Sequence, residues 1–165
     1  MTTGTAVRPA APADAEAVAR IYAPYVTGSV VSFEEAPPGP AEIARRMADV
    51  TECGLPYLVA EAAGAVVGFG YCAPYRPRAA YRFAVEDSVY VAPAARGRGA
   101  GRALLEELLA IARRNGAKHT LLEVAADNTP AQALYDSYGF DVIGMRKNYY
   151  QASGTDALVM RRSES

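Results

Sequence analysis

The segment Val89-Tyr90-Val91-Ala92-Pro93 runs into Arg96-Gly97-Arg98-Gly99-Ala100-Gly101-Arg102, and the pattern after it is helical. A strand, a glycine-rich turn and a helix N-terminus together make a cradle for an anion. Glycine lets the backbone approach a ligand closely, the first N–H groups of the helix lack partners, and the helix dipole favours negative charge. A phosphate there gains about 0.3–1 kcal/mol from the dipole alone, before any charge-assisted hydrogen bond. The turn lacks the lysine followed by Ser or Thr of a P-loop. It also lies in mid-chain without the spacing of a dinucleotide fold. The plain alternative is a tight strand-to-helix turn that uses glycine only for its dihedrals.

The elements that must position this turn can be read from periodicity. A first strand ends at Val7-Arg8 before Pro9, and Pro12 and Asp14 open a helix with Ala17, Val18, Ile21 and Tyr22 on its apolar face. A second helix begins at Pro40 and carries Ile43 and Met47. Pro56–Glu61 and Val66–Tyr71 form a hairpin around Ala63-Gly64, and Phe83–Val91 is a long strand. Leu104, Leu105, Leu108 and Ile111 form the stripe of the helix after the turn, which Asn115-Gly116 ends. Thr120–Val124 is a strand. Thr129 is the expected N-cap of a short helix that Gly139 closes, and Val142–Met145 with Ala157–Met160 make a last strand pair. With no simple βαβ rhythm, the class is α+β, a three-layer α/β arrangement of a mixed sheet with helices on both faces.

Two spaced motifs carry a resemblance. Arg96-x-x-Gly99-x-Gly101 is similar to the pyrophosphate-binding motif of the GNAT superfamily of acetyl-CoA-dependent N-acetyltransferases. Asn128-x-x-Ala131-x-x-Leu134-Tyr135-x-x-x-Gly139-Phe140 resembles its second signature, and GNAT-like patterns run from about Val7 to Met160. The resemblance implies one acetyltransferase domain over residues 1–165, with a mixed, mostly antiparallel sheet. It implies acetyl-CoA as cosubstrate and no metal. Val89, Tyr90, Val91, Arg96, Gly97, Arg98, Gly99, Ala100, Gly101, Arg102 and Asn128 would be the residues that hold the cosubstrate.

The halves of the chain resemble different relatives. Ser32-Phe33-Glu34-Glu35, the run Tyr75–Phe83 and Val85-Glu86-Asp87-Ser88-Val89-Tyr90-Val91 look like the phosphinothricin and methionine-sulfoximine acetyltransferases. Leu122-Glu123-Val124, Arg146-Lys147-Asn148-Tyr149-Tyr150 and Asp156–Met160 look like the ribosomal-protein N-terminal-alanine acetyltransferase. Natural mosaicism, an engineered chimera and divergence would each give this pattern. The phosphinothricin group typically has histidine in place of Tyr135 and a different final hairpin.

The chemistry implied is direct transfer. An alkylammonium with a pKa near ~10 must lose a proton before it attacks a thioester, so a base is needed. The leaving thiolate needs a proton, and Tyr135, just after a helix N-terminus, suits that task; its other reading is a core aromatic. Two carboxylates compete as base. Glu86 sits at the position of the base in the phosphinothricin group, and Glu123 matches the glutamate of the alanine acetyltransferase. Against function, Glu86 reads as a solvated strand end and Glu123 as a buried ion pair. Arg76, Arg78 and Tyr81, in a basic-aromatic loop, resemble an acceptor-side wall that grips a carboxylate or phosphinate. As a bare sequence this is a solvated arginine loop. Phe33 and Glu34 resemble the other acceptor loop, while Tyr149 and Tyr150 would line the path of a peptide N-terminus. His119 reads as a surface residue and Cys72 as packing.

Composition bounds the rest. The 165 residues are 51% apolar, and 17 basic residues against 18 acidic ones disfavour a nucleic-acid partner. No apolar run approaches the ~18 residues of a membrane span, so no membrane partner is expected. Two cysteines, Cys53 and Cys72, fit a reducing cytoplasm. The expected protein is a cytoplasmic acetyltransferase, a homodimer by its resemblance to the phosphinothricin group. Its acceptor would be the amine of a small amino acid or analogue, or else a peptide or ribosomal-protein N-terminus. The rival from another class is a non-catalytic acyl-CoA-binding module.

Overall fold

The structure is a computed structural model and describes residues 4–27, 36–74, 84–150 and 155–164. Among these residues seven strands form one sheet in the order β1-β2-β3-β4-β5-β7-β6. The strands are β1 (Ala6–Pro9), β2 (Tyr57–Ala62), β3 (Ala65–Pro74), β4 (Ala84–Val91), β5 (His119–Ala125), β6 (Asp141–Tyr150) and β7 (Thr155–Ser163). The helices are α1 (Ala15–Thr27), α2 (Pro40–Glu52), α3 (Ala100–Arg114) and α4 (Thr129–Ser137). Every neighbouring pair of strands is antiparallel except β4 and β5, which run parallel.

The two-residue period of β2 divides the core. Tyr57 and Val59 join Phe69 under Val18, Ile21, Ile43 and Met47 of α1 and α2. Leu58 and Ala60 point the other way and join Cys72 and Val85 under Leu104 and Leu108 of α3. Leu105 and Leu109 continue that second face toward Leu122, Phe140 and the α4 residues Leu134 and Tyr135. Two glycines bring α3 onto the sheet. A Cβ at Gly70 would lie 2.9 Å from Leu108 Cδ1 and 3.0 Å from the Ser88 carbonyl, and one at Gly68 would meet the Tyr90 carbonyl at 3.0 Å.

The expected elements are present, with corrected ends. Asn128, not Thr129, caps α4, its side chain accepting the Ala131 N–H at 3.3 Å. The side chain one residue earlier reaches the open amide, and Thr129 becomes the first helical residue. The last two strands are longer than the apolar pattern suggests. β6 is a sheet edge whose Val142, Ile143 and Met145 stand exposed, so no alternation marks its length. Among the described residues, no helix is long and apolar enough to cross a membrane.

Candidate active site

The site originates in a parting of two strands. β4 pairs with β5 only at Ala84–His119, Val85–Thr120 and Glu86–Leu121. Beyond Glu86, β4 stays bound to β3 as far as Val91, and β5 stays bound to β7 as far as Ala125. The facing edges of the two strands therefore separate and leave backbone groups without a ladder partner. A cleft of about 670 Å³ opens there, walled by Val89, Tyr90 and Val91 on one side and by Leu122, Glu123 and Val124 on the other. Its ends are closed by Arg96 and Gly101 of the turn and by Asn128, Leu134 and Tyr135 of α4.

The turn has the geometry an anion needs. Gly97 and Gly99 adopt left-handed φ angles of 79° and 87°, and a Cβ on either would meet no atom within 4 Å. Gly99 caps α3 with no side chain, and no acidic residue occupies the first turn of the helix. The first amides of α3 thus face the cleft end without an internal acceptor, which is the arrangement that binds a phosphate. Arg96 is held beside it by Tyr25 of α1. The Tyr25 hydroxyl accepts from Arg96 Nη2 at 3.1 Å and donates to the Val91 carbonyl at 2.6 Å. Arg102 turns away to Tyr138, whose hydroxyl it reaches at 3.1 Å, and Arg98 is exposed. Gln132 Nε2 donates to the carbonyls of Ala125 and Ala126 at 3.1 and 3.0 Å and so fixes the end of β5.

Both glutamates face the same side of the sheet. Ala84, Leu121 and Val159 form one cluster. Glu86 follows Ala84 by two residues, and Glu123 is the register partner of Val159. They stand on the side covered by α1 and α2 further along the sheet. Glu123, with 14% of its side chain exposed, is joined by Arg146 of β6, whose Nε lies 2.9 Å from Oε1. On this side a second cavity of about 210 Å³ is lined by Tyr22, Arg46, Asp49, Tyr57 and Tyr71, and Tyr90 lines both it and the cleft. Tyr135 is on the opposite side. It lines the cleft while its ring packs edge-on against Phe140, with centroids 5.6 Å apart.

Asp87, between Glu86 and Ser88, points to the α3 side, in register with Cys72. It is 4% exposed, and among the described residues no other residue gives either carboxylate oxygen a hydrogen bond. Burial, with a small addition from Glu86, pushes its carboxyl up to about 7, and its own backbone N–H offsets this only in part. The Cys72 thiol, also buried and close to Asp87, is pushed up to about 12.

The structure thus gathers Val89, Tyr90, Val91, Arg96, Gly101, Asn128, Glu123 and Tyr135 around one cleft. Phe33, Glu34, Arg76, Arg78 and Tyr81 lie outside the described residues, as do the side chains of Tyr149 and Tyr150 at the end of β6. The sequence reading missed Tyr25 and Asp87. Asp87 carried one usable signal, a second carboxylate beside Glu86 in a strand that is otherwise mostly apolar. Tyr25 carried none, because its contacts lie 66 and 71 residues away. Among the described residues, no three metal-ligating side chains converge.

The residues fit the pyrophosphate and the long arm of coenzyme A. The arm would occupy the strand gap, and the phosphates would meet the α3 amides. Comparisons agree with this geometry. The profile of the Acetyltransferase (GNAT) family matches residues 16–140. A phosphinothricin N-acetyltransferase from Alcaligenes faecalis is 41% identical over 152 residues, covering 90% of this chain and 77% of that protein. The solved ribosomal-protein-alanine N-acetyltransferase of Brucella melitensis superposes with a TM-score of 0.93 at 34% identity, over 96% of this chain and 99% of that one. A phosphinothricin acetyltransferase from Sinorhizobium meliloti, solved in complex with acetyl-CoA, gives a TM-score of 0.90 at 36% identity, over 98% of this chain and 89% of that one. The enzyme reading therefore stands over the non-catalytic one: the chain belongs to the GNAT family and is an acetyl-CoA-dependent N-acetyltransferase.

Proposed function

We propose that the acceptor is a small amino acid or close analogue, of the phosphinothricin or methionine-sulfoximine kind. Glu86 is its base and Tyr135 the acid for the leaving sulfur. The observation that carries this reading is the placement of Glu86 at the last rung before the strands part, on the side of the sheet that holds an aromatic cavity. An amine entering from that side meets Glu86 at the gap, and the thioester that acetyl-CoA supplies would lie between it and Tyr135 on the far side. Glu86 draws the proton from the ammonium, and the neutral nitrogen bonds to the thioester carbon as the C–S bond breaks. The Tyr135 hydroxyl gives a proton to the departing sulfur, and the proton the nitrogen then sheds as the amide forms restores the Tyr135 hydroxyl. The cavity, at about 210 Å³, suits a small side chain better than a folded polypeptide.

A second reading keeps the same transfer and takes a peptide N-terminus as acceptor, with Glu123 as base. It is favoured by the position of Glu123 in the cleft wall and by the likeness to the Brucella melitensis enzyme. The deciding experiment follows thiol release from acetyl-CoA with phosphinothricin, methionine sulfone and an alanine-initiated peptide. Turnover with the two small acceptors supports the first reading. Turnover with the peptide alone replaces it with the second.

As a proposal the protein is also one domain, cytoplasmic and a homodimer. Cys53 and Cys72 are both free thiols, and the exposed Val142, Ile143 and Met145 give the β6 edge an apolar surface for a second copy. Sedimentation is expected to show a dimer at micromolar concentration that Ile143→Lys disperses.

A further inference from the structure

A carboxyl buried with no partner is costly, and aspartate is rarely buried at all unless it is paired. Asp87 is such a group, and its place in the fold indicates where its partner is to be found. It is the first residue of β4 past the last rung to β5, and it belongs to the lining of the cleft. On its other edge β4 is already paired with β3, where Cys72 sits opposite within an apolar cluster that includes Val85, Leu104 and Leu108. Nothing on those elements supplies a hydrogen bond to Asp87. What remains is the contents of the gap. Val91, beside the phosphate-binding turn, is four residues further along the strand, or about 13 Å. A chain-like ligand anchored by phosphate at the turn would therefore reach Asp87 with its acyl end.

We propose that Asp87 is a cosubstrate-binding residue whose protonated carboxyl donates a hydrogen bond to a carbonyl oxygen of the acyl-bearing arm of acetyl-CoA. The proposal rests on the acetyl-CoA cleft and is independent of which acceptor is used. Burial already holds the carboxyl near neutrality in favour of its proton. An arm filling the gap removes water and supplies an acceptor, and both favour the neutral form further. Binding near pH 7.5 therefore draws a proton from solvent onto Asp87. The charged and titratable groups near the site work in the same direction or stand apart. Glu86 and Cys72 are the nearest. Glu123, Asp127 and Tyr135 line the cleft, and Arg96 lies at its phosphate end.

The test is calorimetric titration of acetyl-CoA into the protein at pH 7.5, in two buffers of different ionisation enthalpy, which counts the protons exchanged on binding. Coenzyme A's own phosphates titrate equally in every variant, so the difference between variants reports Asp87. Asp87→Asn keeps the shape and a donor; it is expected to bind within about threefold of wild type and to lose the linked proton uptake. Asp87→Leu keeps the volume but no polar atom, and its affinity is expected to fall about fivefold or more, the value of one hydrogen bond. Equal proton counts in wild type and Asp87→Asn would overturn the proposal. So would Asp87→Leu binding as tightly as wild type, or a wild type that releases more protons than Asp87→Asn. A wild type that binds no acetyl-CoA would instead overturn the reading of the cleft itself.

Discussion

Glu123 of β5 and Arg146 of β6 meet at 2.9 Å although β7 runs between their strands. Arg146 is in register with Ala157, which is buried and small, so the arginine can reach over it to the glutamate. The Arg146 guanidinium thus stands against Glu123 Oε1, an oxygen that a base would have to turn toward the acceptor amine. Glu86→Gln should lower kcat with a small amino-acid acceptor by about 10²–10⁴-fold. Glu123→Gln should lower it by less than about tenfold. Steady-state assays of both variants decide the matter, and the opposite ranking would move the base to Glu123.

Tyr135 has two attachments, its ring in the core against Phe140 and its place in the cleft wall. Tyr135→Phe keeps the first and removes only the hydroxyl. Turnover should fall by about 10²-fold or more while acetyl-CoA affinity and Tm stay near wild type. If turnover remains within a factor of about two, the residue serves packing alone.

Asp87 also makes stability depend on pH. Its carboxyl is neutral in the folded protein up to about pH 7, but ionises from about 3.8 once unfolded. Between those values the unfolded chain binds fewer protons, so stability falls as pH rises, and above about 7 the loss is complete and constant. At about 1.4 kcal/mol per unit, the loss is roughly 4 kcal/mol at most. Urea midpoints measured from pH 5 to pH 8 should decline in wild type and decline less in Asp87→Asn. Equal slopes would mean that Asp87 is not the group responsible.

Tyr25→Phe leaves the Val91 carbonyl and Arg96 without the hydroxyl that joins them. One hydrogen bond of this kind is worth about 1 kcal/mol, so acetyl-CoA affinity should fall about fivefold. The acceptor KM should be unchanged. Equilibrium binding checks the first expectation and kinetics the second.

The parts of the site that are legible in the sequence are those built locally. Gly97 and Gly99 stand where the backbone needs positive φ, and Gly116 and Gly139 mark helix ends for the same reason. The parting of β4 and β5 is not legible, because it depends on the rungs two strands fail to make, and each strand alone has ordinary alternation. The fate of Glu123 is hidden similarly, since Arg146 lies 23 positions away on a non-adjacent strand. Tyr25 acts from a helix on whose expected apolar face Val18, Ile21 and Tyr22 do pack into the core, while Ala15 and Ala19 are buried there and Ala17 is not. The one-residue error at Asn128 is smaller in kind: either Asn128 or Thr129 can cap a helix, and it is the Asn128 side chain that reaches the Ala131 N–H.

The gap between β4 and β5 leaves the protein by itself an unfinished sheet, and a cosubstrate held there would act as a missing piece of scaffold. A ligand that binds only the folded chain adds about 2.7 kcal/mol at a hundred times its dissociation constant. That amount is a large share of the 5–15 kcal/mol that keeps a typical domain folded. The lifetime of this enzyme in a cell, and not only its rate, will thus rise and fall with the supply of activated acetate.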